Sequence, residues 1–330
     1  MIKTKLIGIG YYVPKKVVKN SELVEYLDTT DEWIQNKIGI KERHIVDEVE
    51  VASDLAQKAS TRALEMAELE ATEIDMILLA TNTPDHLSPA TAIQLQKKIS
   101  ALNAFAFDIR VGGCPGLIYG ISIATNYIAS GSCKTVLVAT TDVNSRGIDW
   151  KDRLTAVIMG DGASAVILKA DFTDTNEKII LDSQLGTEPS GYYAAYIPAG
   201  GTVEPITVNS IKNNRQYFKM DGKAIYKFAT TVFPESVKKI LHKNKICLKD
   251  VDFIISHQAN INIIKESMGK LNIPMEKTYC NIEKYGNTGG SSVGIALAEA
   301  VEKGIIKKGD IVVLVAYGAG LSWGTVLLKW

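Results

Sequence analysis

The chain has 330 residues, 46% of them hydrophobic, enough to bury a sizeable core in two domains or one large duplicated one. Lysine plus arginine balances aspartate plus glutamate at 37 each, which excludes a bulk electrostatic pull toward nucleic acid or an anionic membrane. The four cysteines show neither CxxC nor Cys/His ligand spacing, so metal-site and disulfide-framework readings are excluded, and with no signal-peptide core or membrane-length apolar run the expected location is cytoplasmic.

A first strand, Lys5 to Ile9, leads through the Pro14 turn to Thr30-Asp-Glu-Trp33-Ile-Gln-Asn-Lys37-Ile-Gly39, where Thr30 can cap a short helix that Gly39 closes. Ala52 to Met66 reads as a helix, Met76 to Thr81 as a strand, Pro84 and Pro89 as turn residues, and Thr91 to Ile99 as another helix. Next comes the stretch around which the chain is organised, Phe107-Asp-Ile-Arg-Val-Gly-Gly-Cys114-Pro-Gly-Leu-Ile-Tyr119. A buried strand over Ala104 to Ile109 meets a helix marked by Leu117, Ile121, Ala124 and Ile128, with Cys114 at the join. Pro115 suits the first helical position, and Gly112, Gly113 and Gly116 permit unusual dihedrals and close approach. Free NH groups and the positive dipole end there favour a thiolate, so the expectation is a nucleophile of lowered pKa. The strand Thr135 to Thr140 and Gly160-Asp-Gly-Ala-Ser-Ala-Val-Ile-Leu-Lys complete the first half.

The second half repeats this order. Asp252-Phe-Ile-Ile-Ser answers Asp75-Met-Ile-Leu-Leu, and Gly286-Asn287-Thr-Gly-Gly with the helix Val293 to Glu302 answers the Cys114 turn and its helix. Asp310-Ile-Val-Val-Leu-Val-Ala answers Lys134-Thr-Val-Leu-Val-Ala, and Gly318-Ala-Gly-Leu-Ser-Trp-Gly-Thr-Val-Leu-Leu-Lys answers the Gly160 segment. Strand and helix alternation makes the class α/β, in two similar halves, 1–172 carrying the cysteine and 173–330 carrying a histidine and an asparagine, joined near residues 171–178. The irregular Gly186 to Met220 excursion reads as a cap over a site. His257 in His257-Gln-Ala-Asn260 and Asn287 are both expected at C-terminal ends of strands, as Cys114 is, on the edge where sites of open α/β sheets collect.

These residues resemble the ketoacyl-acyl carrier protein synthase III group of thiolase-fold condensing enzymes over nearly the whole chain. The matching motifs are Asp31-Glu-Trp33-Ile with Gly39-Ile-Lys-Glu-Arg-His44, Cys114-Pro-Gly, Gly160-Asp-Gly-Ala, Met220-Asp-Gly-Lys, His257-Gln-Ala-Asn, Gly286-Asn-Thr and the Trp323-Gly ending. The resemblance implies a thiolase fold, a duplicated five-layered αβαβα arrangement, as an obligate homodimer. It implies a Cys114, His257 and Asn287 triad that takes an acyl group from acyl-CoA onto Cys114 and condenses it with malonyl-acyl carrier protein by a decarboxylative Claisen reaction. The 3-oxoacyl product would serve fatty acid initiation or a secondary pathway. An alternative is a relative that passes the acyl group to an alcohol or a β-ketoacyl chain. No separate cofactor or metal is implied, the CoA thioester being substrate.

Further roles follow from the same resemblance. The backbone NH groups of Cys114 and Ala319 form an oxyanion hole, with Ala319 standing where the family usually has glycine. Trp33, Lys37, Arg153 and Asn260 face CoA, although Lys37 replaces an arginine and Asn262 stands in place of a phosphate-binding arginine, losing the planar fork and the charge respectively. Leu87 and Ser88 occupy the loop that closes a partner's acyl pocket, with Ser88 in place of a phenylalanine plug. Lys227 and Lys270 match positions that dock the acidic carrier protein.

Overall fold

The computed structural model describes residues 2–111, 113–173 and 177–330. Its main sheet holds nine strands: β1 (Lys3–Tyr12), β2 (Met76–Ala80), β3 (Phe105–Ile109), β4 (Thr135–Asp142), β5 (Gly162–Asp171), β6 (Ile179–Thr187), β7 (Phe253–Ser256), β8 (Ile311–Gly318) and β9 (Ser322–Lys329). The long helices are α1 (Ala52–Ala67), α2 (Thr91–Ile99), α3 (Gly116–Ala129), α4 (Gly222–Lys243), α5 (Ile261–Leu271) and α6 (Ser292–Glu302). The expected junction at 171–178 includes residues 174–176, which lie outside the described residues.

The duplication is legible in the strand order β7-β8-β9-β6-β1-β5-β4-β2-β3. Read outward from the β1–β6 seam, β1-β5-β4-β2-β3 mirrors β6-β9-β8-β7, with no fifth strand on the second side among the described residues. β2 pairs parallel with β3 and β4, β7 parallel with β8, and β5 and β9 are antiparallel to their neighbours. The counterpart of β3 is the non-strand stretch Thr278–Asn281. It lies along β7 through Thr278 Oγ1 donating to the Ile254 carbonyl at 2.6 Å and Gln258 Nε2 donating to the Tyr279 carbonyl at 3.3 Å.

Layering follows from which side chains each face offers. In β2, Met76 and Leu78 point into one core and Ile77 and Leu79 into another, so the strand reads as a continuous apolar run. The first of these cores joins both halves of the sheet to α3 and α6. Outer cores pack α1 and α2 on the first half, and α4 and α5 on the second. The sequence of layers is therefore helix, sheet, helix, sheet, helix. Helix α6 is buried from Ser292 through Ala300, as a central-layer helix apolar on all sides must be. Close approach of α3 to the sheet depends on Gly120, where an added Cβ would lie 2.5 Å from Val138 Cγ1. Cys114 and Asn287 thus precede the central-layer helices α3 and α6, and His257 follows β7, whereas Lys227 and Lys270 lie on the outer helices α4 and α5.

Candidate active site

Helix α3 begins at Gly116 with Pro115 in the capping position, one residue earlier in the turn than the sequence predicts. Gly116 N donates to the Gly113 carbonyl at 2.8 Å, closing a tight turn around Cys114. Gly113 carries φ +81, and a Cβ there would stand 2.8 Å from Asn82 Nδ2, so this position needs glycine on two counts. Gly112 lies outside the described residues. Cys114 is a free, partly accessible thiol. Its pKa is not lowered as the sequence predicts: burial, and then the nearby Asp142 carboxylate, push it up to about 12, with only its own backbone NH opposing. The Cys114 sulfur is thus held as a thiol.

Asn287 also departs from expectation. It does not end a strand but follows the helical turn Ile282–Tyr285, tied to the first half by a lone bridge to Met159. Its NH donates to the Ile158 carbonyl at 2.8 Å and its carbonyl accepts from Gly160 N at 3.0 Å. Oδ1 accepts from Gly289 N at 2.9 Å, while Nδ2 takes no partner among the described residues. Beyond it, Gly290 N donates to Asp142 Oδ2 at 2.9 Å, and a Cβ on Gly290 would be 2.8 Å from the Gly113 carbonyl. The segment carrying Asn287 therefore lies directly on the Cys114 turn.

Asp142, the last residue of β4, stitches the two together: its other oxygen accepts from Asn82 N at 3.0 Å. Burial lifts its carboxyl to about 6 against the pull of those NH groups. Sequence reasoning stopped that strand at Thr140 and missed this residue. A carboxylate ending an otherwise uncharged, fully buried strand was the available signal.

His257 follows β7 and is 1% exposed, its NH donating to the Val315 carbonyl at 2.9 Å. Nδ1 lies 2.6 Å from Oγ of Ser292, the first residue of α6. That oxygen accepts from Gln258 N at 3.3 Å and keeps its own proton to donate to Nδ1, the arrangement in which the imidazole proton stands on Nε2. Burial holds the ring's pKa down to about 3, so the imidazole is neutral, and Nε2 takes no partner among the described residues. Ser292 is a second residue that the sequence reading missed. Through the segment 287–292, the Cys114 turn, His257 and Asn287 are brought to one site.

Profiles of known families bear directly on this arrangement. Residues 107–189 match 3-oxoacyl-[acyl-carrier-protein (ACP)] synthase III, and residues 241–330 match its C-terminal part. A beta-ketoacyl-[acyl-carrier-protein] synthase III of Caldanaerobacter subterraneus subsp. tengcongensis is 43% identical over 329 residues, spanning 100% of this chain and 98% of that protein. The chain belongs to the beta-ketoacyl-acyl carrier protein synthase III family. The crystal structure of the Aquifex aeolicus synthase III superposes with TM-score 0.91 at 39% identity, covering 99% of this chain and 100% of that one. That of the priming beta-ketosynthase from the R1128 polyketide pathway gives 0.90 at 28% identity, covering 99% and 96%. The fold is thus the duplicated five-layered thiolase fold.

Around this site, the remaining predicted residues divide into those near it and those set apart. Ser322 Oγ donates to the carbonyls of Ala319 at 2.8 Å and Val111 at 3.1 Å, which holds the Ala319 loop beside the cysteine turn. Alanine is unstrained at 319, because the positive φ of this loop, +129, falls on Gly320. Arg153 lies over the Trp33 ring at 5.0 Å and donates to the Asp28 carbonyl at 2.8 Å. Asn260 caps α5 by accepting from Asn262 N at 2.8 Å, and its Nδ2 donates to the Lys37 carbonyl at 3.0 Å. Asn262 Nδ2 donates to the same carbonyl at 2.9 Å and to that of Asn36 at 3.2 Å. The asparagine that replaces an expected arginine thus fastens the Trp33 helix to α5, while the Lys37 ammonium stays exposed. Leu87 is 84% exposed and Ser88 is also exposed, so neither lines this chain's own site. Lys227 is exposed at the rim of a groove floored by Leu321 and Trp323, whereas Lys270 is paired to Glu266 at 2.7 Å and donates to the Thr230 carbonyl at 2.9 Å.

Proposed function

We propose that this protein is an acyltransferase that takes an acyl group from acyl-CoA onto Cys114 and condenses it with malonyl-acyl carrier protein, giving a 3-oxoacyl product. The observation that carries this reading is the seating of segment 287–292 on the Cys114 turn and against His257 at once. In the first half-reaction the Cys114 sulfur attacks the thioester carbonyl, whose oxyanion is met by the NH groups of Cys114 and Ala319. The carbon–sulfur bond to CoA then breaks, and the thiol proton leaves with the CoA sulfur. No stable thiolate is required, in keeping with the raised pKa of Cys114.

In the second half-reaction the malonyl carbon–carboxylate bond breaks and carbon dioxide departs. The electron pair moves into an enolate whose oxygen accepts from His257 Nε2–H and Asn287 Nδ2. Enolate carbon attacks the acyl carbonyl, the bond to Cys114 breaks, and the sulfur takes up a proton from solvent. Neutral imidazole suits this role, since it donates without carrying a buried charge.

On the same reading the two halves span 1–172 and 173–330 and the chain works as a cytoplasmic homodimer. Leu87 and Ser88 then serve the partner's acyl pocket, in keeping with their exposure here, and the CoA thioester is a substrate with no separate cofactor. Trp33 and Arg153 flank the adenine, with Lys37 and Asn260 close by. Lys227 meets the carrier protein at its groove, with Lys270 contributing less because its charge is already paired. Among the described residues, no helix is long and apolar enough to cross a membrane. Mass spectrometry after incubation with a panel of acyl-CoAs tests the central step: one acyl mass is expected on Cys114, and a Cys114→Ala chain that still gains it would overturn the assignment.

A further inference from the structure

Tyr317 is the penultimate residue of β8, immediately before the Gly318–Gly320 loop, and its side chain is only 1% exposed. Its ring stands edge-on to His257, centroids 5.4 Å apart at 77°, and is backed by Phe233 at 6.3 Å. Yet its hydroxyl finds no hydrogen-bond partner among the described residues. A buried hydroxyl without a partner is a net cost in a core, and phenylalanine would fill the same space without it. The oxygen is left with its donor free for a bound group. Burial raises the phenol's pKa, as do the neighbouring Cys114, Cys280 and Tyr226, so the group is a neutral donor at any working pH. The nucleophile is among the groups that act on it.

We propose that the Tyr317 hydroxyl is a third donor in the condensation site, hydrogen-bonding the thioester oxygen of the malonyl substrate beside His257 as that oxygen becomes an enolate. This rests on the reading of Cys114, His257 and Asn287 given above. Three properties support it together: contact with the catalytic imidazole, complete burial, and a hydroxyl with nothing else to bond. The donor is unused in the free enzyme and engages only when substrate charge develops, which is where a hydrogen bond lowers a barrier instead of merely tightening binding.

Tyr317→Phe removes the oxygen and keeps the ring. With acyl loading from acyl-CoA followed by intact mass, and condensation of the preloaded enzyme with malonyl-acyl carrier protein measured separately, loading is expected within about twofold of wild type. The condensation kcat is expected to fall roughly 10-fold or more, the scale of one hydrogen bond to a charged group. The melting temperature of the free variant should rise, because an unmet buried hydroxyl has been removed. Normal condensation by the variant would overturn the proposal, as would a lowered melting temperature with equal losses in both half-reactions, which marks a structural bond. A wild-type chain that neither loads nor condenses overturns the parent reading, and a normal wild type beside a normal variant overturns this inference alone.

Discussion

Ser292→Ala isolates the group that sets the proton position on His257. The hydroxyl lies 2.6 Å from Nδ1 in a fully buried site, and no other described residue serves that nitrogen. Removing it leaves Nδ1 without a partner and Gln258 N without its 3.3 Å acceptor. A buried polar atom left unmet costs about 1–3 kcal/mol, and the second bond is long, so a stability loss of about 2 kcal/mol is expected. The larger consequence is chemical. A hydrogen bond worth about 1–1.5 kcal/mol biases the imidazole toward the Nε2–H form by roughly tenfold, and that bias disappears with the serine. Condensation should therefore slow about tenfold while acyl loading, which needs no donor on His257, is unchanged; Ser292→Thr, which keeps a hydroxyl, should recover most of the rate. Imidazole nitrogen-15 shifts, assigned by a His257→Ala control, read the tautomer directly. A wild-type spectrum with the proton on Nδ1, or an alanine variant that condenses at the wild-type rate, would refute the reasoning.

Four further outcomes are expected. The Asp142 carboxyl is raised from 3.8 to about 6, so its share of stability is complete below about 4 and lost as pH rises through 6; at 1.36 kcal/mol per unit this is about 3 kcal/mol, and the wild-type stability relative to Asp142→Asn should fall by that order between pH 4 and 7 in denaturant titrations. The same variant should alkylate faster at Cys114 above pH 8, since the carboxylate that disfavours the thiolate is gone; equal alkylation rates would exclude the interaction. Because a serine replaces the expected aromatic plug, medium-chain acyl-CoAs should load faster than acetyl-CoA, by about two powers of ten for three or four methylenes at roughly 0.8 kcal/mol each, and Ser88→Phe should reverse the order. A maximum at acetyl that Ser88→Phe leaves unchanged would place the pocket floor elsewhere. Finally, His257 is held near 3 and is neutral throughout, so condensation by the preloaded enzyme should show no inflection between pH 5 and 7 that His257→Ala removes.

Much of the fold is legible in the sequence because its determinants are local. Alternating apolar runs and helical spacing mark every strand of the main sheet except β6, and glycines at a strand-to-helix turn single out Cys114. Repeated segments give the two-fold plan before any contact is known, and the family motifs single out His257 and Asn287. What tertiary structure alone decided are the quantities that depend on distant neighbours. The short strand expected before Asn287 is absent because the Thr278–Asn281 stretch spends its hydrogen bonds on side-chain contacts to β7 instead of a ladder. Asp142 and Gly290 meet across 148 residues, and His257 and Ser292 across 35, so neither pair leaves a spacing to recognise. The thiol of Cys114 illustrates the physical reason most directly: the helix start that favours an anion can be read from a few residues, but desolvation by the whole surrounding core, and a carboxylate delivered by another strand, push its pKa the other way.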